Sequence, residues 1–230
     1  MLVEIVNFTR VLLVAFATLF PLVNPIGCAP IFLSLTQHYP QSVQGVLSNK
    51  IASYSFAILA VSLLFGTPIL NFFGISIVVI QIAGGLVLAA TGWNLLNAKD
   101  GSSGESRGPA TLDDALEHAF FPLTLPITVG PGCIAVAVTL GAHLRHEAGP
   151  GLFGGVPRLF IASLSGMLLL CVLVKICYGK ADRLVRRLGK SGTSILMRLS
   201  AFILFAIGVQ ILWNGLSAGV PQILATVARH

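Results

Sequence analysis

The chain has 230 residues, of which 55% are hydrophobic and only 10% are charged, and its mean hydropathy is +0.90. Soluble domains carry about 25% charged residues, so this composition excludes an ordinary water-soluble protein. The net charge of +6 does not indicate a nucleic-acid-binding protein, because five of the basic residues lie together at residues 180–190, between two apolar stretches.

Long stretches without Asp, Glu, Lys or Arg indicate where the chain crosses a membrane. The stretch between Lys50 and Lys99 has 48 consecutive uncharged residues. A span needs roughly 20 apolar residues, so this stretch is long enough to cross twice. In chain order, the sequence predicts six spans, at residues 5–35, 46–70, 73–96, 119–140, 159–177 and 195–216.

The chain divides into two similar halves around a polar linker. We predict a three-helix membrane repeat at 1–98, a cytoplasmic linker at 99–118 and a second three-helix repeat at 119–230. FPLVNPI at 20–26 aligns with FPLTLPI at 121–127, and prolines in register indicate a repeat because proline is costly in a helix. An odd number of spans inverts the second half. The predicted fold class is all-α, a polytopic membrane protein with six transmembrane helices as two inverted three-helix repeats.

The first helix of each repeat is interrupted inside its apolar stretch. Residues 24–30 read NPIGCAP, and residues 126–132 read PITVGPG. Proline lacks an amide donor and glycine loosens the chain, so backbone groups lose helical partners, which costs several kcal/mol each in hydrocarbon. Such breaks are tolerated where they line a polar cavity, and we predict that the two meet near the bilayer midplane. The alternative is that they are kinks that serve helix packing.

A binding site made from two breaks suits a zwitterion. Half-helix N-termini favour a carboxylate, and half-helix C-termini offer carbonyl oxygens to an ammonium group or a cation. For Asn24, Thr124 and Thr128, capping a half-helix is the structural alternative to binding. The predicted substrate-binding residues are Asn24, Pro25, Gly27, Pro30, Thr124, Pro126, Thr128, Gly130, Pro131 and Gly132.

Other polar residues of the spans are accessory candidates. Arg198 either reaches the substrate or snorkels to the membrane surface, and Gln81 either lines the path or hydrogen-bonds between helices. No Asp, Glu or His falls near a predicted span centre, so the coupling ion stays open between proton and sodium. Glu117 and His118, at the start of the fourth span, either titrate during transport or border the headgroups.

The sequence does not indicate a catalytic or a metal-binding site. The metalloprotease pattern H-E-x-x-H does not occur, so we predict no enzyme and assign no cofactor and no metal. The cysteines have no zinc spacing and lie in or beside the spans, where packing is their expected role. They are Cys28, Cys133, Cys171 and Cys177.

The basic residues predict the orientation. Loops rich in Lys and Arg stay in the cytoplasm, and placing residues 180–190 there also places 36–45 and 97–118 there. Both termini then lie outside. The basic residues near span ends number eight inside and four outside.

Two motifs resemble a known family. NPIGCAPIF at residues 24–32 resembles the N-P-x-G-x-x-P-x-F signature of the MarC family, and PLTLPITVGPG at 122–132 is similar to its P-L-x-x-P-x-x-x-G-P-G stretch. The family is also described as SnatA-like neutral amino acid transporters. The resemblance implies a six-helix protein of the bacterial inner membrane that transports small neutral amino acids such as glycine and alanine. Gln81 stands where the family has arginine, whereas Arg198 keeps the basic residue of the second half.

These observations together predict a secondary transporter or exporter that works by alternating access of two inverted halves. Its expected partners are the lipid bilayer and a small neutral amino acid, with no nucleic acid, and a homo-oligomer is left open. The rival interpretations are a passive channel or a structural inner-membrane protein, and, with less support, drug efflux.

Overall fold

A computed structural model describes residues 2–97, 112–148 and 157–227, and all regular secondary structure in these ranges is helical. The predicted all-α class is confirmed. The predicted linker residues 99–111 lie outside the described ranges, and the described part of the linker forms a short helix. The helices are α1 (Leu2–Val23), α2 (Pro25–Thr36), α3 (Gln41–Phe72), α4 (Ile77–Asn97), α5 (Leu112–His118), a π-helical segment (Ala119–Thr128), α6 (Pro131–Ala148), α7 (Pro157–Gly179) and α8 (Ala181–Val227).

Five helical stretches in the described ranges are long and apolar enough to cross a membrane, and a sixth consists of two helices bent by 70°. The bent pair is Ala115–Thr128 with Pro131–His146. All six coincide with predicted spans, because the absence of charge over about 20 residues is what lipid demands of a helix. The five single stretches are Val6–Thr36, Gln41–Phe72, Ile77–Asn97, Pro157–Gly179 and Ser191–Val220.

The contacts of the bent pair place its two parts at opposite ends of the bundle. Thr128 lies beside Tyr178, in the last turn of α7, with 2.9 Å between the two hydroxyl oxygens. Leu144, near the end of α6, borders the same pocket as Leu159, in the first turn of α7. Tyr178 and Leu159 are about 28 Å apart along α7, so the two parts of the bent pair together extend over most of the length of the bundle.

Three connections lie at one end of the bundle, which we call the junction end because α7 meets α8 there. Gln41 at the start of α3 donates a hydrogen bond to Asp182 at the start of α8, 3.4 Å away. α4 runs antiparallel to α8, since Gly92 packs on Phe205 and Gly85 on Leu212, so the last turn of α4 is also at this end. The sequence predicts the same grouping of these loops, while its assignment to the cytoplasm stays a prediction.

The core lies where α3 and α7 pass through the middle of the bundle. Ile51 and Leu59 of α3, and Met167 and Leu170 of α7, are fully buried. α1 approaches α7 closely because Gly166 has no side chain to separate it from the backbone around Leu12. α4 and α8 lie at the periphery and expose large apolar side chains, as expected of surfaces that face lipid. These include Leu86, Trp93, Leu199, Phe202, Trp213 and Val220.

Candidate functional site

The first break is a single residue. Asn24 adopts a left-handed backbone conformation, with φ 43° and ψ 61°, and its Oδ1 accepts a hydrogen bond of 3.1 Å from the N–H of Gly27. Asn is one of the few residues that enter this conformation readily, and it is also a strong N-cap. Pro25 occupies the first position of α2, where its missing N–H costs nothing. The break is therefore narrower than residues 24–30, and Pro30 lies inside α2.

The second break is longer and includes a widened turn. Val129 N–H donates to the carbonyl of Thr124, and the hydroxyls of Thr124 and Thr128 donate to the carbonyls of Ala119 and Leu123, at 2.7 to 2.8 Å. Each of these bonds spans five residues. Pro122 and Pro126 follow cis peptide bonds within this segment and have no N–H to give. The threonine hydroxyls thus satisfy backbone carbonyls of their own segment.

Both breaks border one cavity of about 190 Å³. It lies between α2, α4, α6 and α8, and it reaches from mid-bundle at Leu88 and Leu204 toward the junction end at Leu95 and Met197. No charged side chain is among its lining residues. They are Leu22, Asn24, Gly27, Cys28, Ile31, Val87, Leu88, Thr91, Leu95, Pro126, Ile127, Gly130, Pro131, Gly132, Cys133, Met197, Ser200, Ala201 and Leu204.

The structure brings six of the ten predicted site residues to this cavity. Asn24 and Gly27 come from the first break, and the other four from the second: Pro126, Gly130, Pro131 and Gly132. The remaining four do not line it. Pro25, Pro30, Thr124 and Thr128 are buried in the helices beside it.

The accessory candidates also lie away from the cavity lining. Arg198 is exposed on α8, between the lining residues Met197 and Ser200. Gln81 is half-buried where α4 meets α8, beside Gly215.

The positive end of α6 forms part of the cavity wall. Pro131 has no N–H and Gly132 is the next residue, so the Gly132 amide lacks an intrahelical acceptor by its position. The following amide, of Cys133, donates to the Gly130 carbonyl at 2.9 Å. A helix N-terminus with a free amide is a favourable place for a carboxylate.

Ser200 of α8 is a cavity residue that the sequence analysis missed. A Cβ atom on Gly27 would collide with Ser200 Oγ and with the Asn24 amide, and would lie 2.7 Å from Ser200 Cβ. Gly27 therefore lets α8 approach the first break and brings a hydroxyl to the cavity wall. Ser200 is one of four serines in the 30-residue span Ser191–Val220, and the sequence could not show which of them faces another helix.

Tyr178 is a second missed residue, and it connects three elements behind the cavity. Thr128 has one hydroxyl hydrogen, which it donates to Leu123, so Tyr178 is the donor in the 2.9 Å bond between their hydroxyls. The Tyr178 ring stacks on Phe32 of α2, with 4.7 Å between centroids. Cys28 Sγ lies 3.8 Å from the carbonyl of Ile127 and links α2 to the same break. α7, α2 and the second break are thus held together.

Metal and hydrolase sites gain no support in the described ranges. No group of three or more His, Cys, Asp or Glu residues there is placed to hold a metal ion. Residues 215–219, GLSAG, match the G-x-S-x-G pattern of serine hydrolases. That pattern requires a sharp strand-to-helix turn, whereas Ser217 is an exposed residue inside α8.

Comparison with known sequences decides the family. Residues 9–220 match the sequence model described as MarC family integral membrane protein. The chain belongs to the MarC family. MarC relatives match this chain over most of their length, so this chain is an integral multi-pass membrane protein. No solved structure matches it.

Three relatives illustrate the breadth of the family. The UPF0056 inner membrane protein MarC of Salmonella typhimurium is 32% identical over 204 residues, which cover 86% of this chain and 90% of the relative. The UPF0056 membrane protein of Buchnera aphidicola is 32% identical over 88% of this chain and 91% of its own. A UPF0056 membrane protein of Methanocaldococcus jannaschii is 30% identical over 89% of this chain and 95% of the relative.

Proposed function

We propose that this MarC-family protein is a secondary transporter of small neutral amino acids, such as glycine and alanine, and that the cavity between the two breaks is its binding site. The observation that carries the proposal is that interruptions about 100 residues apart in sequence border one cavity. Irregular backbone at membrane depth is tolerated where it lines such a space, and in transporters it commonly forms the substrate site.

The size and chemistry of the cavity favour a small ligand without net charge. Drug-sized ligands occupy pockets of about 300–1,000 Å³, so a volume of about 190 Å³ argues against drug efflux. The lining residues carry no charged side chain to balance a net charge on the ligand. The amide end of α6 suits the carboxylate of a zwitterion, and carbonyl oxygens of the breaks suit its ammonium group.

The contact between α4 and α8 supports the inverted arrangement of the two halves. Gly92 packs on Phe205 and Gly85 packs on Leu212. Residues 85 and 205 are 120 positions apart, as are 92 and 212, so one contact becomes the other when the halves are exchanged. The pairs Trp93-Asn94 and Trp213-Asn214 repeat with the same spacing. The contact of α2 with α8 likewise has a counterpart in the other half, which is the contact of α6 with α4.

The proposal implies alternating access in which the halves move about the α4–α8 contact. The cavity extends toward the junction end at Leu95 and Met197, and in the proposed cycle we take this as the end to which it opens. With the junction end in the cytoplasm, the protein faces inward and both termini lie outside. Its place is then the cytoplasmic membrane, and the name of the Salmonella relative, an inner membrane protein, agrees with this location.

Flux of labelled glycine and alanine into proteoliposomes, under imposed proton and sodium gradients, tests the proposal. We expect saturable uptake and counterflow, and stimulation by one gradient identifies the coupling ion. Gly130→Leu fills the cavity from a position where only the Pro126 carbonyl is near, and it should abolish flux. Gly45→Leu, in open space on α3, is the matched control. Flux that rises without saturation indicates a channel, and no flux of any neutral amino acid contradicts the assignment.

A further inference from the structure

The first two turns of α8 form a separate helix at the membrane surface. Gly189, with φ 66° and ψ 179°, interrupts α8, and this backbone conformation is adopted almost exclusively by glycine. The membrane span of α8 begins at Ser191, two residues later. Residues 181–188, which we call the surface helix, therefore lie where the bundle meets the headgroups.

The surface helix has a basic face and an apolar face. With about 100° between successive residues, Arg183, Arg186 and Arg187 fall within an arc of about 100°, and all three are exposed. Ala181 and Leu184, on the other side, pack against the bundle, and Ala181 is fully buried. The apolar side thus fixes the helix to the protein and leaves the arginines facing outward.

The single acidic residue of residues 180–190 is already engaged. Asp182 accepts from Arg186 at 2.5 Å and from Gln41 at 3.4 Å, at the edge of the basic face. The segment has five basic residues and this one acidic residue, so its net charge is +4. A topology signal requires only the charges; it does not require that they share one face of an anchored helix.

We propose that the surface helix binds anionic phospholipid headgroups of the membrane in which the protein sits. The chain connection at Gly189 holds the arginines within about 10 Å of the lipid surface, the distance over which charges act at 0.1 M salt. Guanidinium groups match phosphate oxygens in bidentate geometry, and basic amphipathic helices beside a span are attracted to acidic lipid. This proposal is independent of the transported substrate.

Lipid binding at the surface helix acts next to the span that also forms the cavity wall. Beyond Gly189, this span supplies Met197, Ser200 and Leu204 to the cavity wall. The position of the surface helix and the position of that wall are therefore linked through one glycine.

Hydrogen exchange of the full-length protein in nanodiscs tests the proposal. Phosphatidylcholine discs are compared with discs that also contain phosphatidylglycerol, and exchange is measured at the amides of residues 184–188. We expect phosphatidylglycerol to slow exchange by about tenfold or more at low salt, and the effect to vanish at high salt. Equal rates in the two lipids overturn the proposal, and so does equal slowing by inorganic phosphate in phosphatidylcholine discs, which indicates a free-anion site.

Variants separate the surface helix from the rest of the protein. The triple variant Arg183→Gln, Arg186→Gln, Arg187→Gln should lose the response to phosphatidylglycerol, whereas the corresponding triple lysine variant should keep most of it. The lysine variant retains the topology signal, so it remains informative if the glutamine variant misinserts. Arg10→Gln with Arg158→Gln, at the opposite end of the bundle, is the control and should respond as the unmodified protein does. A glutamine variant that inserts correctly and still responds contradicts the proposal.

Discussion

Arg145 of α6 donates a hydrogen bond to the main-chain carbonyl of Leu64 in α3. In an unbroken helix this carbonyl would accept from the N–H of residue 68, but Pro68 has none. The guanidinium group supplies the missing donor, and its carbon lies 5.7 Å from the ring centroid of Phe160. Arg145 thus satisfies a backbone group that a proline leaves open inside a span.

Arg145→Met should therefore lower stability. Hydrogen bonds to charged groups contribute about 1.5–3 kcal/mol, and the substitution leaves a carbonyl unsatisfied at membrane depth. Thermal unfolding in detergent measures the loss. In a Pro68→Ala background, which restores the N–H, the same substitution should cost less, and Arg158→Met is the exposed control. Additive effects of Arg145→Met and Pro68→Ala would contradict this role.

Gly27→Ala should reduce transport because its Cβ collides with Ser200 and Asn24 at the cavity wall. The double variant Gly27→Ala, Ser200→Gly removes the nearer obstacle and should recover part of the flux. Ser200→Ala alone should raise KM for glycine about fivefold through loss of one hydrogen bond, with little change in Tm. Ser165→Ala on α7, which is outside the cavity, is the matched control. Unchanged KM in Ser200→Ala removes the hydroxyl from the proposed site.

The cavity thiols provide a direct test of occupancy. Cys28 and Cys133 line the cavity, whereas Cys171 and Cys177 do not. Methyl methanethiosulfonate should inhibit transport by reaching the first pair, and glycine at ten times its Kd should slow inhibition about tenfold. A variant with both lining cysteines changed to alanine should resist the reagent. Inhibition that persists in this variant places the reactive thiol elsewhere.

Tyr178→Phe should destabilise the protein by about 0.5–1.5 kcal/mol, because it removes the hydrogen bond to Thr128 and keeps the stacking on Phe32. Thr128 retains its own bond to the Leu123 carbonyl, which limits the loss. Chemical unfolding measures it. Tyr54→Phe is the control, since that ring makes an edge contact with Phe120. In a Thr128→Val background, Tyr178→Phe should cost clearly less than it does alone.

Gly189→Ala should cost about 1–3 kcal/mol through backbone strain alone, because no atom lies within 4 Å of the added Cβ. Gly45→Ala also adds a methyl group in open space, but within regular helix, and should be neutral or stabilising. The difference in Tm between these two variants checks the conformation at Gly189. Equal Tm values would mean that α8 passes through residue 189 as ordinary helix.

The spans could be predicted from the sequence because lipid excludes charge, and the breaks could be predicted because proline and glycine mark them directly. The lengths of the two breaks could not be predicted. The repeat aligns Pro25 with Pro126 and Pro30 with Pro131, yet the helices restart at Pro25 and Pro131. The reason is the preceding residue. Asn24 caps the next helix at once, whereas Leu125 in the aligned position has no capping group and takes an extended conformation, with φ −108° and ψ 125°.

Ser200 and Tyr178 could not be predicted because their roles arise from contacts between distant helices. Ser200 reaches the cavity only because Gly27 allows a close approach, and Tyr178 matters because α7 ends beside the second break. Neither relationship leaves a pattern along the chain. Arg198, by contrast, attracts attention as a charge in a span, yet it lies outside the cavity lining.

The two halves of the protein have unequal shapes: the first span passes as one stretch, and the fourth turns by 70°. If the halves exchange shapes in the cycle that we propose, the first span bends sharply in the other state and the fourth straightens. Asn24 is the expected hinge, because its N–H donates to the Phe20 carbonyl of α1 and its carbonyl accepts from the Cys28 N–H of α2. A change in the φ and ψ angles of this one residue can therefore bend the span while both hydrogen bonds persist.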